Sequence, residues 1–403
     1  MRESFSFFFI FVLLFLYIGC SNNDDSPHLL DYTDTSEWVA SNDSVSTIVV
    51  ETNWGGRFSL TEDVVYKSGL NLRKIFRVPS LIITNEGTLL LSCENRDEEL
   101  DKGEMDILIA RKAKKDVQWE IRRVVKQSDD YGRSMNPVFV IDRMGIHGKA
   151  GRIYLFVSHE KNIQGYTDQT QTSESDIIYK YSDDDGRSWS KETSLKSKWD
   201  LSEYDINIPS ACNGIQLKDG TFLVPTMPIN NGIWHSGLLV KKTGEDWFFT
   251  NPTPCDGDNE CSVYIDNENR IILDCRTTSK LHRKYVYDLE GNDFIKLPNE
   301  IKVYNDLKAE ITKVEWNKAF YMTTYVDVNR DTREDLTLFA SLDGNLWCKI
   351  YKMQKGFNAF GYGNVAHYRG ETIVAFEDYL ENSIKVHTLT PYIKEIYNEV
   401  AAN

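Results

Sequence analysis

The stretch SDDDGRSWS, residues 182–190, decides the fold. It reads as the tight turn of a β-hairpin. The side chain of Asp184 caps backbone amides across the turn, Gly186 supplies a positive φ, and Trp189 packs beneath the loop. A shortened copy, SLDGNLW, occupies 341–347. Around these turns lie short apolar runs, among them GTLLLSCE, GRIYLFVS, DIIYKYS, GTFLVPTM, GLLVKKT, RIILDCR, AFYMTTYV, DLTLFAS and ETIVAFED. Each has the length and β-rich composition of one strand, and many are launched by a glycine turn such as NEGT or KDGT. Strands at such even spacing build a sandwich, a barrel or a propeller. Helical periodicity is confined to the tail, PYIKEIYNEVAAN.

The 403-residue chain is 41% hydrophobic and 12% aromatic, enough for a large β-rich core. Its formal net charge is −15, and no Lys/Arg-dense stripe stands out, which argues against nucleic-acid binding. An acidic chain can still hold a basic pocket, because a site's potential is set locally. One candidate lies in RKIFRVPSLIITNEGTLLLSCENRD, residues 73–97. This reads as a hairpin of two buried strands turning at Asn85-Glu86-Gly87. Arg77 interrupts the first strand, and an arginine in an apolar strand needs an anion.

The first 20 residues, MRESFSFFFIFVLLFLYIGC, carry Arg2, an apolar run of signal-peptide length and then Gly19-Cys20. The end of that run resembles the lipobox of bacterial lipoproteins, with Tyr17 in place of the usual Leu. That resemblance implies a signal peptide over 1–19 and an acylated Cys20 at the mature N-terminus. It further implies an exported lipoprotein at the outer membrane and cell surface, or in the periplasm. The acidic segment after Cys20 reads as a flexible tether to residue 45, with the globular domain spanning 46–403. Six cysteines follow Cys20. No pair has zinc-site spacing. Cys255 and Cys261 could bridge a short loop, or remain buried thiols.

Taken together, the motifs resemble the bacterial exo-α-sialidases. SDDDGRSWS is similar to their Asp-box, or BNR repeat. FRVPSL is similar to their Tyr/Phe-Arg-Ile-Pro motif, and SMNPVFVID, NGIQLKDGTFLVP and NECSVYIDNENRIILDCR follow in the family's order. The resemblance implies an all-β, six-bladed propeller of four-stranded antiparallel blades. It implies sialylated glycans as substrates, and neither cofactor nor metal. It also implies a clamp of three arginines for the sugar carboxylate, matching Arg77, Arg276 and Arg333, with Arg330 a neighbouring rival for the third place. Such a clamp suits the chemistry, since guanidinium is a planar bidentate donor.

The same resemblance assigns Tyr362, in AFGYGNVAHY, as nucleophile and Glu260 as its base. A carboxylate nucleophile would be repelled by the sugar's own charge, whereas a neutral phenol can approach and lose its proton as it attacks. Tyr368 lies nearby, where a strand should run on. Asp101, on the polar loop of ENRDEELDKGEMD, is the expected acid, with Asp97 and Asp106 as rivals. Glu377 in IVAFED is expected to hold Arg77. Arg96 is expected at the sugar's 4-hydroxyl, with Asn136 nearby where many bacterial members carry Asp. Three alternatives remain beside hydrolysis: transfer or anhydro-product formation, a related 2-keto sugar, and a non-catalytic sialoglycan binder.

Overall fold

The computed structural model describes residues 38–403 except 42–43, 68–71, 100, 102, 127–131, 162–174, 199–205, 231, 280–281, 299–309, 330–331 and 357–360. The expected signal peptide, Cys20 and most of the tether lie outside the described residues. The far end of the tether does not. Val39–Ala40 pairs with Glu120–Val125, and a strand begins at Ser44, so ordered structure starts before residue 46. Trp38 explains the earlier start, because its ring packs on the core and its Nε1 donates to the Arg187 carbonyl.

The described residues form antiparallel β-sheets arranged around an axis, with one α-helix, Ile393–Ala402, where the tail predicted it. Hydrogen bonding gives five sheets, of nine, six, four, four and five strands, and not the expected six. The nine-stranded sheet holds two hairpin series, joined only by a parallel bridge between Met105 and Arg133. Six apolar cores separate successive strand series around the axis. One, for example, sets Phe76, Leu81 and Leu91 against Ala366, Ile373 and Ala375. Each strand fan is therefore buried on both faces, which is why apolar runs outnumber strictly alternating ones.

The five-stranded sheet closes the ring. Its strand Arg57–Lys67, near the start of the chain, pairs with Ser383–Thr388, near the end. Ser44–Glu51 then pairs on the outer side of Arg57–Lys67 and forms the sheet's outer edge. Near the axis, Asn213 joins the inner strands. Its Oδ1 accepts from Ser80 Oγ and from Phe139 N at 2.9 Å, and its Nδ2 donates to the Leu81 carbonyl at 2.9 Å.

The two glycine turns have the expected bonding. Asp184 Oδ1 accepts from Ser188 N at 2.8 Å, and Asp343 Oδ1 from Asn345 N at 2.7 Å. Gly186 and Gly344 have φ of 81° and 74°. All six described cysteines are free, so Cys255 and Cys261 form no bridge.

Phe156 is fully buried in one of the inter-sheet cores, packed at 5.2 Å against the Trp247 ring. Phe156→Ala is expected to lower stability by about 3–5 kcal/mol, measured by urea unfolding.

Candidate active site

A cleft of about 470 Å³ opens at one end of the axis. Arg77, Arg96, Asp101, Asn136, Glu260, Arg276 and Tyr362 all line it, gathered from positions nearly 290 residues apart in the chain.

Arg77 sits in the strand Ile75–Ile83, beside a bulge between Arg77 and Ser80. Glu377, 1% exposed, uses both oxygens there. Oε2 accepts from Arg77 Nε at 3.0 Å, and Oε1 from the Val78 amide at 2.6 Å. The expected partner of Arg77 is thus in place. The second face repeats the device. Glu94 Oε2 accepts from Arg96 Nε at 2.6 Å, while Oε1 accepts from the Asn136 amide at 2.6 Å. The Asn136 side chain donates to the Pro209 carbonyl at 2.9 Å.

Tyr362 directs its hydroxyl to Glu260 Oε1 at 2.5 Å, and Glu260 Oε2 accepts from Arg276 Nη1 at 2.7 Å. The strands Asp258–Ile265 and Ile271–Thr277 form one hairpin, which puts Glu260 and Arg276 side by side. Burial and the adjacent Glu260 charge push the Tyr362 phenol well above its ordinary value, so it rests neutral with an acceptor at its proton. Arg77 faces the same ring, 5.8 Å from its centroid.

Asp101 is 61% exposed on its loop and accepts from Arg96 Nη1 at 2.7 Å. Loss of hydration in the cleft would raise its carboxyl. The Arg96 and Arg77 guanidiniums overcome that effect and hold it below the ordinary value. The rivals point elsewhere. Asp97 and Asp106 both pair with Arg73, and Asp106 also pairs with Arg123. Tyr368 lies beyond the cleft, under the Arg143 guanidinium at 3.6 Å. Arg333 falls on the strand Thr332–Ser341, opposite Val328, with its side chain outside the described residues, and Arg330 lies outside them altogether.

Sequence reasoning missed several neighbours. Glu94 stood in plain view in SCENRD, where an acid inside an apolar strand was the available signal. Glu99 and Tyr379 also line the rim. Tyr379 Oη donates to Glu99 Oε2 at 2.5 Å, and the Glu99 carbonyl accepts from Arg77 Nη1 at 3.2 Å. Met135, Ile208, Met227 and Trp234 add an apolar wall.

Antiparallel sheets set in a ring, with arginines, paired carboxylates and a tyrosine at one end of the axis, define a β-propeller with a charged cleft. The chain belongs to the BNR repeat-like domain family, whose pattern matches residues 87–373. Relatives similar to it include bacterial sialidases. It is 25% identical to a Paraclostridium sordellii sialidase over 355 residues, covering 80% of this chain and 86% of that one. It is 26% identical to a Clostridium perfringens sialidase over 219 residues, covering 50% of this chain and only 56% of that relative's length. In fold it is similar to Hadza microbial sialidase Hz136, with a TM-score of 0.70, 19% identity, and coverage of 83% of this chain and 74% of that one.

Glu377→Gln keeps the side chain's shape but leaves Arg77 without its counter-charge. We expect a stability loss of about 3 kcal/mol by chemical unfolding, since breaking a buried pair strands a charge.

Proposed function

We propose that this protein is an exo-α-sialidase, releasing terminal α-linked sialic acids from sialylated glycans with retention. The observation that carries the proposal is the Tyr362–Glu260 pair, 2.5 Å apart and braced by Arg276 in a cleft that Arg77 also lines. Pure binding has no use for a phenol held against a base. The relatives named sialidases support the choice of sugar.

In the proposed reaction the sugar carboxylate is bound by Arg77 and Arg276, with Arg333 as the third member of the clamp. Arg96 and Asn136 contact the sugar's polar groups. Tyr362 Oη attacks the anomeric carbon and passes its proton to Glu260. The glycosidic bond breaks as Asp101 gives its proton to the leaving oxygen. Water then attacks the anomeric carbon, Asp101 takes the water's proton, and Tyr362 leaves and regains its own from Glu260.

In the free enzyme, Asp101 is biased toward its ionised form by Arg96 and Arg77. A carboxylate bound at Arg77 offsets that guanidinium's charge, so substrate binding raises the Asp101 pKa and favours proton uptake. The basic limb of kcat/KM, which reports the free enzyme, is therefore expected at lower pH than the limb of kcat. Coincident limbs would refute this coupling.

Proton NMR of α2-3 sialyllactose hydrolysis tests the reaction itself. We expect α-sialic acid first, later mutarotating to β. An anhydro or transferred product would rename the reaction, and no turnover on any linkage would overturn it. Tyr362→Phe should lose at least about a thousandfold in kcat. Asp101→Asn should lose about 10²–10⁴-fold on natural glycans and much less on aryl sialosides, whose leaving groups need no proton.

We also propose that the chain is exported and anchored at the cell surface through an acylated Cys20. Cys20→Ser is expected to move the protein from the membrane fraction to the soluble fraction with its turnover unchanged.

A further inference from the structure

The inner strands have two ends, and the cleft occupies only one. At the other end a second cavity of about 600 Å³ is lined by the residues where those same strands finish. The strand Ile75–Ile83 shows the separation, with Arg77 in the cleft and Leu81–Ile83 lining the far cavity.

The far cavity is positively biased in a chain of net charge −15. Arg143, Lys218, Lys313 and Arg369 line it against Glu310 and Glu315. Glu310 is already engaged, accepting from the Asn213 amide at 3.0 Å. The two arginines share one aromatic ring, with guanidinium carbons 3.6 Å (Arg143) and 5.1 Å (Arg369) from the Tyr368 centroid. Their hydrogen bonds go to neutral acceptors. Arg143 donates to Asn85 Oδ1 at 3.1 Å and to the Ile83 carbonyl at 3.0 Å, and Arg369 donates to the Asn85 carbonyl at 3.3 Å. Among the described residues neither has a carboxylate partner. Burial, together with repulsion from Arg369, pushes the Arg143 guanidinium below its ordinary value despite the pull of Tyr368. Two like charges held on one ring repel each other unless an anion joins them. Apolar residues such as Val140, Ile215 and Ile265 also line the cavity.

We propose that this cavity is a second ligand site, separate from the cleft, for a small organic carboxylate with an apolar body. The carboxylate bridges Arg143 and Arg369, and the body lies on the apolar lining. Planar, doubled donors suit a carboxylate, and apolar lining rewards a hydrocarbon body that a bare inorganic anion lacks.

Calorimetric titration of the full chain with hexanoate tests the proposal, with hexanamide and sulfate as controls. We expect one hexanoate per chain, with both controls at least about tenfold weaker. Arg143→Gln and Arg369→Asn should each weaken hexanoate about tenfold, whereas Arg77→Gln should leave its affinity unchanged. Should Arg143→Gln fail to fold, Arg369→Asn decides. Arg369 is exposed, and its φ of 49° suits Asn. Equal binding of hexanamide would remove the charge requirement, and equal binding of sulfate would reduce the site to a plain anion site. Loss of binding in Arg77→Gln would place the ligand in the cleft. No hexanoate binding, or any of these three results, overturns the proposal.

Discussion

The cleft depends on one buried carboxylate. Glu377 grips the Arg77 side chain and the Val78 amide together, across 300 and 299 residues of chain. Val78 has φ of 54°, a conformation that costs a β-branched residue about 1–3 kcal/mol. It also precedes Pro79, next to a bulge. Pairing breaks after Arg77 and resumes at Ser80 opposite Ser92, and the carboxylate holds the intervening kink in shape. Asn136, with φ of 53° before Pro137, is held in the same way by Glu94. Two kinks and two buried acids thus bring the arginines and the bulged strands into fixed relation.

This arrangement explains how so many charges share a small space. Every cleft arginine whose side chain is described already has a carboxylate: Arg77 has Glu377, Arg96 has Glu94 and Asp101, and Arg276 has Glu260. Desolvation would otherwise make such a cluster costly. The acids differ in their surroundings. Glu94 and Glu377 are sealed from solvent and serve geometry, while Asp101 is solvated. Tyr362 stays neutral among them, because burial and Glu260 together oppose its ionisation.

Much of this was legible in the sequence, for local reasons. Glycine turns and apolar runs fixed strand after strand, and Arg77 announced itself as a charge in an apolar strand. The contact of Glu260 with Arg276, which lie on one hairpin, was not read from the sequence. Resemblance supplied Tyr362 and Glu377, whose partners lie 102 and 300 residues away and leave no local trace. Glu94 escaped because alternation along a strand does not reveal that both of its faces are covered. The contact of Tyr379 with Glu99 escaped because it joins two loops, where no periodicity applies. The sheet count differed because one bridge, Met105 to Arg133, merges two strand series, and a single backbone contact has no sequence signature. The tether ended earlier than composition suggested, since Trp38 and the short strand after it find partners far along the chain.

The ring closes through strand pairing between Arg57–Lys67 and Ser383–Thr388. That pairing sets an order of assembly. A chain emerging from its N-terminus makes Arg77 early and Glu377 some 300 residues later. Until then the first hairpin has a charged side chain without its counter-ion and a kinked strand without its clasp. Joining distant segments is entropically costly and slow, so the last strands to be made are the ones that complete the cleft. The binding surface is therefore a property of the finished circle, and a chain halted before its final hairpin would carry most of the cleft's residues with no cleft to hold them.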